Sequence, residues 1–163
     1  IYGTTGGEVI RGNNVANILK GGDGADTLIG NDGNDLLVGD GVGGQAYDNT
    51  RDVLTTGAGS DTVAIYLDGG STAITSADVV TDFTNGVDMI GVVSSSSSCY
   101  NDLSISQGSG IYNNDTLVKK GTKYLLIIQN TTANNINASD ILHSSVISSL
   151  SKINSFSLSE KFE

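Results

Sequence analysis

Asp26 and Asp35 stand nine residues apart, as do Asp52 and Asp61, and each is followed two positions later by Leu28, Leu37, Leu54 or Val63. Glycines lead into these carboxylates: Gly22 and Gly24, then Gly33, then Gly57 and Gly59. Glycines at Gly21, Gly22, Gly24, Gly30, Gly33, Gly57 and Gly59 let the backbone take positive φ and turn its carbonyls inward. An Asp side chain is short enough to reach a cation held beside its own turn. Carboxylate and carbonyl oxygens together make the mixed shell of about six to eight ligands that calcium prefers. Softer metals need Cys or His, and the chain has one of each. The expected cofactor is therefore calcium, bound as several ions. Asp26, Asp35, Asp52 and Asp61 are the leading side-chain ligands, with Asp23 and Asp32 in the same turns.

These residues must be positioned by something that repeats. A unit starting at Gly3 recurs at Gly12, Gly21 and Gly30; the next begins at Gly39, is interrupted, and the frame resumes at Tyr47 and Thr56. In this register the sixth slot holds Glu8, Asn17, Asp26, Asp35, Asp52 and Asp61, and the eighth holds Ile10, Leu19, Leu28, Leu37, Leu54 and Val63. A unit of nine residues cannot bury its apolar side chain alone, so the period predicts stacking into a solenoid. Each unit spends six residues on a turn and three on a short strand, with slot eight inward and slots seven and nine outward. Two units complete a coil. Asp26 and Asp52 then fall in one ligand column, and Asp35 and Asp61 in the other.

GGDGADTLI at 21–29, GNDGNDLLV at 30–38 and, more loosely, TGAGSDTVA at 56–64 resemble the repeats-in-toxin (RTX) nonapeptide GGxGxDxUx. The stretch Asp78-Val-Val-Thr-Asp-Phe-Thr-Asn-Gly-Val-Asp-Met-Ile90 resembles the DxIxDFxxGxDxI segment that commonly caps such rolls. The resemblance implies an all-β chain: a right-handed parallel β-roll, a small antiparallel β cap, then a short C-terminal helix or tail. The expected plan is a roll over 1–66 with an insertion at 41–50, the capping segment and cap over 67–142, and a tail over 143–163. Glu8 and Asn17 depart from the slot-six Asp, so the first two turns are expected to bind calcium poorly or not at all. The insertion either bulges as a loop or brings Asp40 and Asp48 to the site. Asp78, Asp82 and Asp88 are weaker candidates, with turn capping as the competing role.

The formal net charge of −10 is concentrated in Asp before residue 90. Without cations those carboxylates repel one another, and such a surface disfavours nucleic acid and anionic membranes. The core of a β-roll is thin, so metal is expected to contribute much of the folding free energy. One Cys excludes an intrachain disulfide, and no apolar run is long enough to span a membrane. The first residue is Ile1, so a fragment or a processed product is expected.

Beyond Gly91, Ser94–Ser98 reads as a loop, and Leu103–Ile105, Thr116–Val118 and Tyr124–Ile128 read as strands, with turns at Asn113-Asn114-Asp115 and Lys120-Gly121. Ser139 is placed as an N-cap for a helix through Leu142, Val146, Leu150 and Ile153. The segment 156–163 has three readings: an export signal, a strand added to a neighbouring copy, or a self-docked terminus. Slot seven faces outward yet holds Val9, Ile18, Leu36 and Val53, a row that needs covering by the chain's own cap or by a partner.

Catalytic chemistry has little to work with. His143 is alone, which removes any HExxH zinc centre, Cys99 follows a serine run, and Ser149-Leu-Ser-Lys152 is an SxxK match in a serine-rich tail. A non-enzyme is expected: a secreted or cell-surface calcium-binding structural or adhesive protein that self-assembles as a filament, surface layer or matrix. Two alternatives stay open. One is a non-catalytic module of a larger type I-secreted enzyme or toxin; the other is a polysaccharide-binding module using the scattered tyrosines. The expected partners are calcium and further copies of the chain or a surface polysaccharide, with no nucleic acid and no transmembrane segment.

Overall fold

A computed structural model describes residues 1–40, 48–93 and 101–142. Most of the 41–50 insertion, the Ser94–Ser98 run, Cys99, His143 and the tail 143–163 lie outside the described residues.

Eight short strands make the solenoid: β1 Val9–Arg11, β2 Ile18–Gly22, β3 Thr27–Ile29, β4 Leu36–Asp40, β5 Val53–Thr55, β6 Thr62–Tyr66, β7 Asp78–Val80 and β8 Met89–Val93. Odd strands stack in parallel in one sheet, in the order β1-β3-β5-β7, and even strands stack as β2-β4-β6-β8 in the other. Consecutive strands thus alternate between sheets, which is what two units per coil demands. Val9 pairs with Thr27 and Ile18 with Leu36, a shift of two nonapeptides. Thr27 pairs with Val53 and Leu36 with Thr62, so the inserted residues are absorbed in a turn without shifting any strand face.

Alternation along each strand puts slot eight between the sheets. Ile10, Leu28, Leu54 and Val80 form one inward column in register, and Leu19, Leu37, Val63 and Ile90 form the other. All eight are buried in one core cluster. The outward slot-seven row is divided. Val9 is 66% exposed, whereas Leu36 is buried beside Val38 and Ala64, flanked by Ile18, Tyr66 and Val93 on the outer face of the even sheet.

The three strands expected in the second half are present as β9 Leu103–Gln107, β10 Thr116–Lys120 and β11 Lys123–Ile128. They are antiparallel to one another, and β11 joins β7 in parallel, so the hairpins prolong the odd sheet. Ser139 is not a helix N-cap. It lies within a single 3-10 turn, Ala138–Asp140, capped by Asn137, and Leu142 belongs to β12 Ile141–Leu142, which adds to β8. The rest of the expected helix falls outside the described residues.

Candidate metal centre

Each turn is tied to the next coil by the backbone at the strand entrance. The slot-seven N–H of Thr27 donates to Glu8 O at 2.8 Å, that of Val53 to Asp26 O at 2.9 Å, and that of Thr62 to Asp35 O at 2.8 Å. One position earlier, the slot-six N–H has no backbone partner of this kind, and a carboxylate takes it. Glu8, Asp26 and Asp52 donate their N–H to Oδ1 of Asp26, Asp52 and Asp78 at 2.7, 2.8 and 3.0 Å. Asn17, Asp35 and Asp61 donate to Oδ1 of Asp35, Asp61 and Asp88 at 2.7, 2.7 and 3.0 Å. The two columns read from the period therefore exist as two aspartate ladders, one along each edge of the roll.

The ladders use only half of each carboxylate. Oδ2 of Asp26, Asp35, Asp52 and Asp61 is buried without a hydrogen-bond partner. Four orphaned anionic oxygens inside a fold cost far more than neutral polar atoms would, so they point to a counter-ion. Three of them, on Asp26, Asp35 and Asp52, lie against a glycine. A Cβ added to Gly21 would come within 2.4 Å of Asp26 Oδ2 and 2.6 Å of Gly39 O. At Gly30 the same atom would meet Asp35 Oδ2 at 2.4 Å and Thr56 O at 2.2 Å. Carboxylate and carbonyl oxygens thus converge over a hollow that a methyl group would fill, and the donors are the hard oxygens that suit calcium. Among the described residues, no three His, Cys, Asp or Glu side chains are placed to hold a metal by themselves. The shells would depend on main-chain carbonyls.

Positive φ occurs at Gly22, Gly24, Gly33, Gly57 and Gly59, as expected, but not at Gly21 or Gly30. Those two are needed for the space that a Cβ would occupy, and not for backbone handedness. The turns beneath the positive-φ glycines approach closely: a Cβ on Gly57 would sit 1.9 Å from Asn31 O.

The remaining candidates are placed differently. Asp32 is exposed and Asp23 half-buried, with the Asp23 N–H on Thr4 O at 3.0 Å. Asp82 accepts from Thr56 N and Gly57 N at 2.8 and 2.9 Å with its two oxygens, which caps that turn. Asp88 closes its ladder, with Oδ2 taking the Thr84 N–H at 2.8 Å. Asp40 is half-buried at the end of β4. Asp48, returning from the insertion, accepts from Gly24 N and from Thr50 N, so this turn is tied back onto the preceding one.

Burial sets the electrostatics. It pushes Asp52 up to about 7, against the lowering effect of the Asp26 N–H, with Asp40, Asp26 and Asp48 adding repulsion. Asp61 rises to about 6 for the same reason, with Asp88, Asp35 and Asp82 nearby. Asp26 and Asp35 are also raised by burial, and Asp78 well above the usual carboxylate range. Protons stabilise the ladders where a cation does not.

A family profile described as the RTX calcium-binding nonapeptide repeat, in four copies, matches residues 2–37 and 48–64. Residues 2–37 and 48–64 thus carry RTX calcium-binding nonapeptide repeats, folded as a parallel β-roll. A search of curated proteins finds no match. Among solved structures, the RTX roll and its cap resemble the AlgE6R3 subunit of the Azotobacter vinelandii mannuronan C5-epimerase at 25% identity, over 86% of this chain and 80% of that one, with a TM-score of 0.60. The AlgE6R2 subunit of the same enzyme matches at 24% identity, over 88% and 92%, with a TM-score of 0.56. The fold also recurs in the extracellular lipase LipA of Serratia marcescens, at 18% identity over 85% of this chain and 20% of the lipase, with a TM-score of 0.56.

Two features of the RTX roll escaped the sequence reading. One is the slot-one hollow at Gly21 and Gly30. Its signal was the glycine at every uninterrupted slot one from Gly3 to Gly39. The other is Asp78, a weaker candidate by sequence that occupies slot six of the next coil. Asp78-Val-Val80 and Asp88-Met-Ile90 repeat the Asp-x-aliphatic pattern of slots six to eight.

Proposed function

We propose that this RTX roll is a secreted structural or adhesive unit whose folding is coupled to calcium, and that it assembles with further copies of itself. The observation that carries the calcium coupling is the set of four buried, unpartnered Oδ2 atoms on Asp26, Asp35, Asp52 and Asp61. Those oxygens and the carbonyls of Gly39 and Thr56 would hold the ions, and the bound cations would supply the positive charge that the ladders lack. Asp78, Asp82 and Asp88 would order the last coil. At cytosolic calcium the carboxylates repel and the roll stays open. At the calcium levels of extracellular sites, about 10⁻⁴–10⁻³ M, it closes. The exposed Val9 at the outer edge of the odd sheet supports an assembly role, because an apolar edge strand invites pairing. Titrating calcium while following far-UV circular dichroism, with sedimentation on the same samples, tests both parts. Cooperative gain of β signal with growth in mass is expected; a flat signal to millimolar calcium overturns the calcium coupling, and a constant monomer overturns assembly.

A second reading has its own observation. The chain spans 80% of the AlgE6R3 subunit, which belongs to an epimerase, so a non-catalytic module of a larger secreted enzyme fits the same geometry. Such a module would fold with calcium but remain monomeric at all concentrations.

A further inference from the structure

The hollow over Gly39 is not built like those over Gly21 and Gly30. At Gly21 and Gly30 one carboxylate oxygen faces one main-chain carbonyl. At Gly39 an added Cβ would meet Asp52 Oδ2 at 2.3 Å and Asp78 Oδ2 at 3.0 Å. A second carboxylate oxygen is among its nearest atoms, where Gly21 and Gly30 have a carbonyl. Asp52 is 1% exposed and its Oδ2 has no partner, and Asp78 is 7% exposed. Among the described residues no hydrogen bond reaches Asp78 Oδ2, whereas its counterpart on the other ladder, Asp88 Oδ2, takes the Thr84 N–H at 2.8 Å.

A third acid stands at the mouth. Asp40 pairs in register with Gly22, so it places a carboxylate one coil further on at a slot where the preceding turn has hydrogen. Asp40 and Asp78 line a small cavity with Tyr66, Gly70 and Leu125 that has room for about one water-sized occupant. A buried, unpartnered Asp52 oxygen with a second carboxylate oxygen over the same hollow and a third acid beside it is unfavourable unless a cation or protons neutralise the charge.

We propose that the Gly39 hollow is a divalent-cation site of higher charge than the nonapeptide turns, held by Asp52 and Asp78 with Asp40 at its mouth and completed by main-chain carbonyls. This rests on the reading of the roll as calcium-loaded. More ligand charge means tighter binding of a hard divalent ion, so this site fills first as calcium rises. It also anchors the fourth coil to the third where the period breaks, since Asp78 opens β7 only after the long connection from β6.

Calcium titration of the full chain by calorimetry, with bound metal counted after dialysis at fixed free calcium, tests the proposal. The wild type is expected to show one class of site filled ahead of the rest. Asp78→Asn keeps an oxygen for the Asp52 N–H, yet should weaken that class by about tenfold or more. Asp40→Asn should weaken it several-fold. Asp35→Asn should lose an ion from the later class and leave the first untouched. Tb³⁺ provides a second probe: the first equivalent should luminesce through tyrosine excitation, because Tyr66 lines the cavity, and that emission should drop in Asp78→Asn. If the tightest class and the first terbium signal are unchanged in Asp78→Asn, the proposal is overturned. Should Asp78→Asn fail to fold at saturating calcium, Asp40→Asn decides, since no described hydrogen bond depends on its carboxylate. A site filled only by protons would show no tight class in any variant, and this too overturns it. A wild type that binds no calcium at all overturns the calcium-folded reading instead.

Discussion

The turns in the middle of the roll and those at its ends satisfy the same slot-six position with different side chains. In the middle, Asp26, Asp35, Asp52 and Asp61 are buried, spend Oδ1 on the ladder, and leave Oδ2 without a partner. At the start, Glu8 and Asn17 turn back on their own turns. Glu8 accepts from the Thr4 N–H at 3.0 Å, and Asn17 Oδ1 accepts from the Asn13 N–H at 2.6 Å. At the far end Asp88 does likewise with Thr84. An end turn has a neighbour on one side only, so a side chain that closes on its own backbone leaves no buried oxygen without a partner. An interior turn lies between two others and has no spare N–H for the second oxygen. The difference teaches where a cation is required and where it is dispensable.

Chelation gives the largest expected effect. Removing calcium should abolish the β signal contributed by the interior coils, because four buried charges lose their counter-ions together. Far-UV circular dichroism with hydrogen exchange checks this. The interior amides of residues 27–29 and 53–55 should exchange freely in chelator; protection retained there would sink the distinction between middle and ends. Next is Gly57→Ala, which puts a methyl group 1.9 Å from Asn31 O at a φ of +97°. Strain of about 1–3 kcal/mol is expected from the backbone alone, with the clash added to it. Gly86→Ala, at a φ of +75° with nothing within 4 Å, should cost only the backbone part, about 1–2 kcal/mol, and thermal melts in calcium compare the two.

The same contrast between middle and ends can be sharpened with single ligands. Asp35→Ala should remove one bound ion and lower the calcium affinity by about tenfold or more. Asn17→Ala, whose side chain answers only its own turn, should leave the ion count unchanged and cost about 1 kcal/mol of stability. Calorimetry separates the two, and equal losses of calcium would break the register. Protons offer a further handle. Asp52 and Asp61 sit near 7 and 6 in the fold against an ordinary 3.8, so the folded chain binds more protons than the unfolded one between about pH 4 and 7. In chelator, stability is therefore greatest below that window and falls as pH rises through it. With calcium the order reverses, because the ions displace the protons and affinity increases toward pH 8. Paired melts at pH 5 and 8, with and without chelator, check both signs.

The period made much of this legible. Slot eight supplied both core columns and slot six both ladders, because a nonapeptide leaves each side chain one orientation. The hidden part begins where the period stops. Between Tyr66 and Asp78 no nonapeptide connects the coils, yet Val53 pairs with Val79, so Asp78 arrives in slot six by the strand register and not by counting. The Asp-Phe-Thr-Asn-Gly stretch could equally end a roll or continue it, and only sheet pairing distinguishes the two. The division of the outward row was also invisible, since Leu36 and Val9 share a slot but Leu36 lies on an inner strand of its sheet and Val9 on the edge strand of the other.

Asp82 is the finest test of this division, because it belongs to neither class. Its two oxygens hold the N–H groups of Thr56 and Gly57, and Oδ1 also takes the Thr56 hydroxyl at 3.0 Å. It therefore answers the turn above it entirely with hydrogen bonds, as the end residues do, although that turn leads into Asp61. If it acts as a cap, Asp82→Ala should cost about 1–2 kcal/mol, lowering the melting temperature in saturating calcium by a few degrees with the number of bound ions unchanged. Asp82→Asn should recover part of the loss, since one acceptor oxygen remains. The loss of an ion in Asp82→Ala would instead move Asp82 into the ligand set. The last turn would then be an interior one, and the boundary between metal-held and self-capped coils would shift outward by half a coil.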